Sequence, residues 1–201
     1  MGTERKPEPV SMAGKGPEDL LREAKSRDGE VSRAALSEML SRLYPRLLGY
    51  LRAMTSDPEV AQDTCQETMV RIVTALPRFA PRPGSDAMAS FQAWAFTIAN
   101  NVYRDYLRKY SRVTPVAEVP EQAQTGATED EAIAKLGGES LMEAVYTLSL
   151  EQRNVFLLKA YYGYSYGAIA HILGCPEGTA KSRLHHAVLA LRDELKRRGT
   201  L

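Results

Sequence analysis

The 201-residue chain predicts an all-α fold: two small helical domains joined by a flexible acidic linker, with a helix-turn-helix in the second. Three observations carry that expectation. Apolar residues recur at three- and four-residue spacings on both sides of the linker, and no stretch alternates as a strand would. Proline followed by acid, or serine with glutamine three residues on, marks helix starts. Between the halves, Val113 to Gly138 holds Pro115, Pro120, Gly126, Gly137 and Gly138, is rich in Glu and Gln, and has no aromatic residue. That is the composition of a tether.

The elements follow in order. Met1 to Gly16 is polar, which predicts a disordered tail without the apolar stretch of a signal peptide. Pro17-Glu18-Asp19 opens a short helix, because proline suits the first turn and acids complement the positive end of the helix dipole. Leu36, Leu40, Leu43, Leu47, Leu48 and Leu51 place a helix from Ala35 to Met54. Ser56-Asp57-Pro58-Glu59 starts another, stopped near Leu76 by Pro77. A loop, Arg78 to Ala87, contains Pro81, Pro83 and Gly84. The next helix, Ser90 to about Tyr110, sets Phe91, Trp94, Ala95, Ile98 and Val102 on one face. Beyond the linker come a short helix, Ser140 to Leu148, and one opened by the Ser149-Leu150-Glu151-Gln152 capping box and running to about Tyr161. Tyr166 to Leu173, a turn at Gly174-Cys175-Pro176 and a long helix from Glu177 to about Arg198 then make the helix-turn-helix pattern.

With 44% hydrophobic and 25% charged residues the composition is that of a globular chain. No apolar run nears the roughly 20 residues that span a bilayer, so a cytoplasmic protein with no membrane insertion is expected. Cys65 and Cys175 suggest no disulfide framework and read as packing residues. The net charge of +1 hides a segregation: +4 over residues 42–112, −5 over 113–140 and +3 over 141–201. Two basic blocks flanking an acidic one point to nucleic acid, because phosphate attraction is local at physiological screening lengths. No phosphate-binding glycine loop, nucleophile motif or convincing carboxylate pair stands out, so neither an enzyme nor a cofactor is expected.

On the last helix, Leu184 centres a buried face with Ala180, Ala187, Val188, Leu191 and Leu195. Ser182 and His186 then point outward, with Lys181 and His185 on one flank and Arg183 on the other. Such side chains suit phosphate and base-edge contacts; a merely solvated helix face is the plain alternative. A metal site is the sharper one, since His171, Cys175, His185 and His186 fall within sixteen residues. Their spacing matches no common zinc pattern, and no metal is expected.

Taken together, the chain resembles the extracytoplasmic-function (ECF) class of bacterial sigma factors, the smallest members of the sigma-70 family, over about Leu36 to Leu195. Three stretches carry the resemblance: Leu43 to Leu51 with Glu59 to Arg71; Phe91-Gln92-Ala93-Trp94-Ala95-Phe96-Thr97-Ile98-Ala99-Asn100-Asn101 with Asp105 and Arg108; and Leu148 through Arg183, ending Gly178-Thr179-Ala180-Lys181-Ser182-Arg183-Leu184-His185. The resemblance implies a tail at 1–16, a sigma region 2 domain at 17–112, a linker at 113–138 and a sigma region 4 domain at 139–201. Asp63, Gln66, Glu67 and Arg71 match the face that docks on the β′ clamp helices of core RNA polymerase, while region 4 would meet the β flap. The helix from Trp94 to Arg112 matches the element that opens and reads the −10 region, with Asn101, Tyr103, Arg104, Arg108, Lys109 and Arg112 as contacts and Tyr106 beside them. The loop from Arg78 to Ala89 matches one that captures an unstacked base. Thr179, Lys181, Ser182, Arg183, His185 and His186 would read the −35 element of promoter DNA. Trp94 reads as core, and Asp105 as an inward-pointing partner of an arginine such as Arg108. An anti-sigma factor is an expected partner, and no covalent chemistry is implied.

Two departures stand out. The family often has arginine where His186 and Val188 stand, which implies weaker or more pH-sensitive phosphate anchoring. The Arg78 to Ser90 loop carries an extra Asp86-Ala87-Met88-Ala89. The rival readings are a free-standing duplex-binding regulator, which leaves the Asp63 to Arg71 face and the Asn101 helix without a task, and an enzyme, which has no motif to stand on.

Overall fold

The computed structural model describes residues 11–12, 14–110 and 139–199, and among these the regular structure is helical, with no strand. Helices α1 (Pro17–Glu23), α2 (Gly29–Met54), α3 (Pro58–Ala75), a 3₁₀ turn (Leu76–Arg78) and α4 (Ala87–Tyr110) build the first unit. Helices α5 (Glu139–Val145), α6 (Leu150–Ala160), α7 (Tyr166–Leu173) and α8 (Glu177–Arg197) build the second. The linker expected over 113–138 lies outside the described residues. No helix among those described is long and apolar enough to cross a membrane.

Local chemistry sets the helix starts. Asp28 accepts from the N–H groups of Glu30 and Val31, Asp57 from those of Glu59 and Val60, and Ser165 from that of Ala168. Ser149 and Gln152 close the expected capping box. Each such cap contributes about 1 kcal/mol. The Asp28 cap begins α2 at Gly29, ahead of the leucine repeat that placed its start at Ala35. Asp86 does the same for α4, accepting from the Ala89 N–H at 2.5 Å. Asp86-Ala87-Met88-Ala89 is therefore the cap and first turn of α4 and not extra loop; the connection shortens to residues 79–86.

The expected tail over 1–16 also ends early. Met12 is 4% exposed and packs into the core, and Lys15 pairs with Glu23 at 2.6 Å. The Met12 side chain joins the hydrophobic core, which a polar, proline-bearing composition does not announce.

In the first unit α2, α3 and α4 pack pairwise, and α1 lies on α2 and α4. Leu43, Leu47 and Leu51 of α2 and Phe91, Ala95, Phe96, Ala99 and Val102 of α4 are buried. A fully buried leucine or phenylalanine contributes about 1.5–3 kcal/mol. That packing carries α2 past Pro45, which removes one helical hydrogen bond from its middle. In the second unit α8 packs on α5, α6 and α7, burying the expected Ala180, Leu184, Ala187, Val188, Leu191 and Leu195.

The units meet along a seam where α2 touches α6 and α4 touches α7. Tyr50, Asn100 and Asn154 are buried there and hydrogen-bonded to one another. The Phe96 ring lies 4.7 Å from that of Tyr162 and 5.5 Å from that of Tyr164. Arg153 donates to four carbonyls, those of Met54 (2.7 Å), Val145 (3.1 Å), Tyr146 (2.7 Å) and Leu148 (3.1 Å), and so ties the end of α2 to the α5–α6 turn. Burial holds its guanidinium below the usual arginine range.

Candidate nucleic-acid interface

Helix α4 is two-faced. Its inner side carries the buried residues above, and its outer side presents Asn101, Arg104, Arg108 and Lys109, all exposed. Asn101, Arg104 and Arg108 fall at three- and four-residue steps and line one broad hollow of about 730 Å³ with Arg71, Asp105, Leu107 and Leu150. Asp105 bridges two arginines, Arg108 on its own helix and Arg71 of α3 at 3.2 Å. First Arg108 and then Arg71 hold its carboxyl below the usual carboxylate range. The group is 42% exposed, so water screens the pairs and each stabilises by no more than about 1 kcal/mol. It positions the arginines.

Three tyrosines shape the end of α4. Tyr106 lies against Tyr103 (6.5 Å, stacked) and Tyr110 (4.5 Å), and Lys109 sits over the Tyr110 ring at 5.4 Å. Tyr110 is 59% exposed, which leaves an aromatic face beside a cation. That pairing suits stacking on unpaired bases.

The 79–86 connection is clasped shut. Ser90 Oγ lies 2.6 Å from Ser85 Oγ and accepts from the Arg82 N–H at 3.3 Å, while the Ser85 hydroxyl donates to the Arg82 carbonyl at 2.9 Å. Phe79, Phe91 and Trp94 form an aromatic cluster beneath it. A cleft of about 640 Å³ opens between this loop and α7, lined by Arg78, Phe79, Arg82 and Trp94 on one side and Tyr164 and His171 on the other.

The helix-turn-helix forms as expected. Gly174 closes α7 at φ 65°, a left-handed geometry that glycine adopts without a side-chain penalty, and the Cys175 N–H returns to the Ala170 carbonyl at 3.0 Å. Helix α8 then starts at Glu177 behind Pro176, which supplies no side-chain cap to its first N–H groups. Lys181 is exposed, pairs with Glu177 at 3.1 Å and lies over the Tyr166 ring at 5.5 Å. Thr179, Arg183, His185 and His186 are half-buried, and the two histidine rings are 5.7 Å apart.

On α3, Asp63, Gln66, Glu67, Val70 and Arg71 are exposed along one side, above buried Thr64, Cys65, Thr68 and Ile72. Arg71 bonds Glu67 at 2.7 Å. Burial pushes the Cys65 thiol up to about 11, so it stays protonated.

The two helical units have counterparts in known proteins. Family models for sigma-70 region 2 and sigma-70 region 4 match residues 39–113 and 138–191. The ECF RNA polymerase sigma factor SigL of Mycobacterium tuberculosis (strain ATCC 25618 / H37Rv) is 36% identical over 177 residues, covering 84% of this chain and 97% of that one. The chain belongs to the ECF class of the sigma-70 family. EcfG of Rhodopseudomonas palustris (strain TIE-1), another ECF sigma factor, is 32% identical over 71% of this chain and 75% of its own. The sigma factor RpoE of Bartonella quintana, solved in complex with the anti-sigma factor NepR, aligns with a TM-score of 0.59 at 28% identity, over 80% of this chain and 96% of that one.

Within this ECF sigma factor most of the residues singled out in the sequence lie on the surface. Tyr103 does not: it is 6% exposed, and its hydroxyl donates to the Met54 carbonyl at 3.1 Å, because the α4 stripe is wide enough to draw it inward. Asp105 is the reverse case. Expected inward, it is half-exposed, held at the surface by Arg71 and Arg108. Ser182, expected to point out, has its Oγ shielded from solvent with no hydrogen-bond partner among the described residues. Trp94, read as core, is half-buried and forms a wall of the cleft. Arg112 lies outside the described residues. Among those described, no three His, Cys, Asp or Glu side chains gather as a metal site. Val70 and Tyr110 are also exposed, and no sequence signal announces it: an apolar residue on a helix reads as core until its neighbours are known.

Proposed function

We propose that this ECF sigma factor divides promoter recognition between two helices and polymerase binding onto a third. Helix α3 binds core RNA polymerase through Asp63, Gln66, Glu67, Val70 and Arg71, facing the β′ clamp helices, while the second unit meets the β flap. Asn101, Arg104, Arg108, Lys109 and Tyr110 contact the −10 region where strands separate. Thr179, Lys181, Arg183, His185 and His186 contact the −35 duplex, with the open N–H groups of α8 directed at phosphate. The factor is non-enzymatic and acts in the cytoplasm, where an anti-sigma factor holds it in check. The complex of the Bartonella relative with NepR supports that last partner by analogy.

One observation carries the reading: each of two units presents cations on the outer side of a helix whose inner side is buried, one beside aromatic rings and one after a tight glycine turn. Aromatic-plus-cation surfaces favour unpaired bases, whereas a helix after a turn enters a duplex groove. Reaching both elements requires the seam to part. The 26 residues of 113–138 could reach up to about 85 Å if extended, ample for two duplex turns.

The test is reconstitution with core RNA polymerase followed by run-off transcription on genomic fragments. The expected result is a stable holoenzyme that initiates at promoters with both elements. Tight duplex binding without any affinity for core would overturn the proposal in favour of a free-standing regulator.

A further inference from the structure

Lys25 sits in the turn between α1 and α2, upstream of the region 2 match, which begins at residue 39. Its ammonium donates to the Phe79 carbonyl, where the 3₁₀ turn ends and the 79–86 connection begins. It also lies 5.2 Å from the Phe79 ring centroid. That ring packs against Trp94 at 4.9 Å and edge-on to Phe91 at 5.6 Å, and Phe79 and Trp94 line the cleft with Arg78 and Arg82.

The lysine is fixed from behind. The Ser32 hydroxyl donates to the Ala24 carbonyl at 2.8 Å, the Lys25 N–H bonds the Arg22 carbonyl at 3.2 Å, and Asp28 caps α2 just downstream. The connection is thus held at both ends, by Lys25 where it begins and by the Ser85–Ser90 clasp and Asp86 cap where it closes.

We infer that Lys25 is a positioning residue for base selection at −10: it pins the start of the connection and the buried Phe79 ring that backs Trp94, the half-buried face against which an unstacked base lies. The inference rests on the reading of this connection as the base-capturing loop. A bond from a charged donor is stronger than a neutral one and orients the carbonyl it meets. Releasing it lets the start of the connection shift by a fraction of an ångström, which is enough to degrade a stacking site. Lys25 itself is exposed, so its removal opens no core cavity.

The experiment uses full-length chain assembled with core polymerase, as parent, Lys25→Met and Lys25→Arg. Transcription is measured on a promoter recovered by run-off, with every −10 position changed in turn and a matched panel changed at −35. In Lys25→Met the spread of activities across the −10 panel narrows by about three- to ten-fold. Core affinity, melting temperature and the −35 panel stay at parent values, and Lys25→Arg restores the spread. An unchanged −10 spread in Lys25→Met overturns the inference. So does a loss shared equally by both panels or by core binding, which marks a general packing role. A parent that is indifferent to −10 sequence overturns the base-capture reading and this inference with it, and shows itself before any variant is made.

Discussion

The Tyr50 hydroxyl on α2 donates to the side-chain carbonyl of Asn154 on α6, and the Asn154 amide nitrogen donates to Asn100 Oδ1 on α4 at 3.0 Å. All three side chains are buried, so the two sigma regions meet through a polar chain set in an aromatic surround. Burial raises the Tyr50 phenol far above its ordinary range, which keeps it a proton donor at any physiological pH. A buried donor or acceptor left without a partner costs more than its hydrogen bond is worth.

Replacing Asn154 with leucine should therefore cost about 2–3 kcal/mol, since it leaves both the Tyr50 hydroxyl and Asn100 Oδ1 unpaired. Tyr50→Phe should cost about 1 kcal/mol, and the double variant less than the sum of the two. Denaturant unfolding of the four proteins gives the coupling. Strict additivity would mean that the network does not form in solution.

Arg153→Lys should destabilise by about 1–3 kcal/mol despite the conserved charge, because an ammonium cannot match the fork that reaches four carbonyls. Thermal melts of parent and variant suffice; coincident curves would show that the carbonyls find other donors.

Val70 is 60% exposed between Glu67 and Arg71 on α3. Val70→Asp should leave stability within about 0.5 kcal/mol, as surface changes usually do. Affinity for core polymerase should fall about ten-fold if the valine enters a dry contact. Equilibrium titration with labelled core measures it, and parent-like affinity would remove Val70 from the polymerase face.

Lys181→Ala should weaken −35 duplex binding across sequences and lower the salt dependence by about one unit of log–log slope, the signature of one lost phosphate contact. A slope equal to the parent's would assign Lys181 to its Glu177 pair instead.

Burial first, and Arg82 across the cleft second, hold the His171 imidazole below its ordinary value of 6.5. The folded chain then takes up this proton less readily than the unfolded one. The contribution of His171 is full above about pH 6.5 and is lost as pH falls from there through the folded value. His171→Gln should flatten the fall in melting temperature between about pH 7 and pH 5. Equal declines in both proteins would place the acid sensitivity elsewhere.

Much of this fold is legible in the sequence, for physical reasons that can be named. The inward stripe of α8 and the starts of α3, α6 and α7 follow from periodicity and capping chemistry, which act within four residues. Contacts between elements do not. Whether Asn100 or Asn101 faces outward depends on α6 bringing Asn154 to meet one of them. Tyr103 turns inward to share the Met54 carbonyl, the last of α2 and 49 residues away, with Arg153. Asp86 has a cap's chemistry, yet the nearby prolines and Gly84 disguise it as loop. Lys25 and Phe79 lie 54 residues apart, and no local pattern announces such a meeting.

On α8 the side chains that hold the helix and those that face away from it alternate over about two turns: Ala180 inside, Lys181 outside, Leu184 inside, His185 and His186 toward the rim. Support and the proposed recognition are thus interleaved along the same few residues, Lys181 being exposed and its neighbours only partly so. Exposed positions such as Lys181 can be exchanged for about 0.5 kcal/mol or less, while the buried ones keep the helix in place. With α8 reading the −35 element as proposed, a handful of exposed substitutions would change the promoter address without the chain having to solve its folding again.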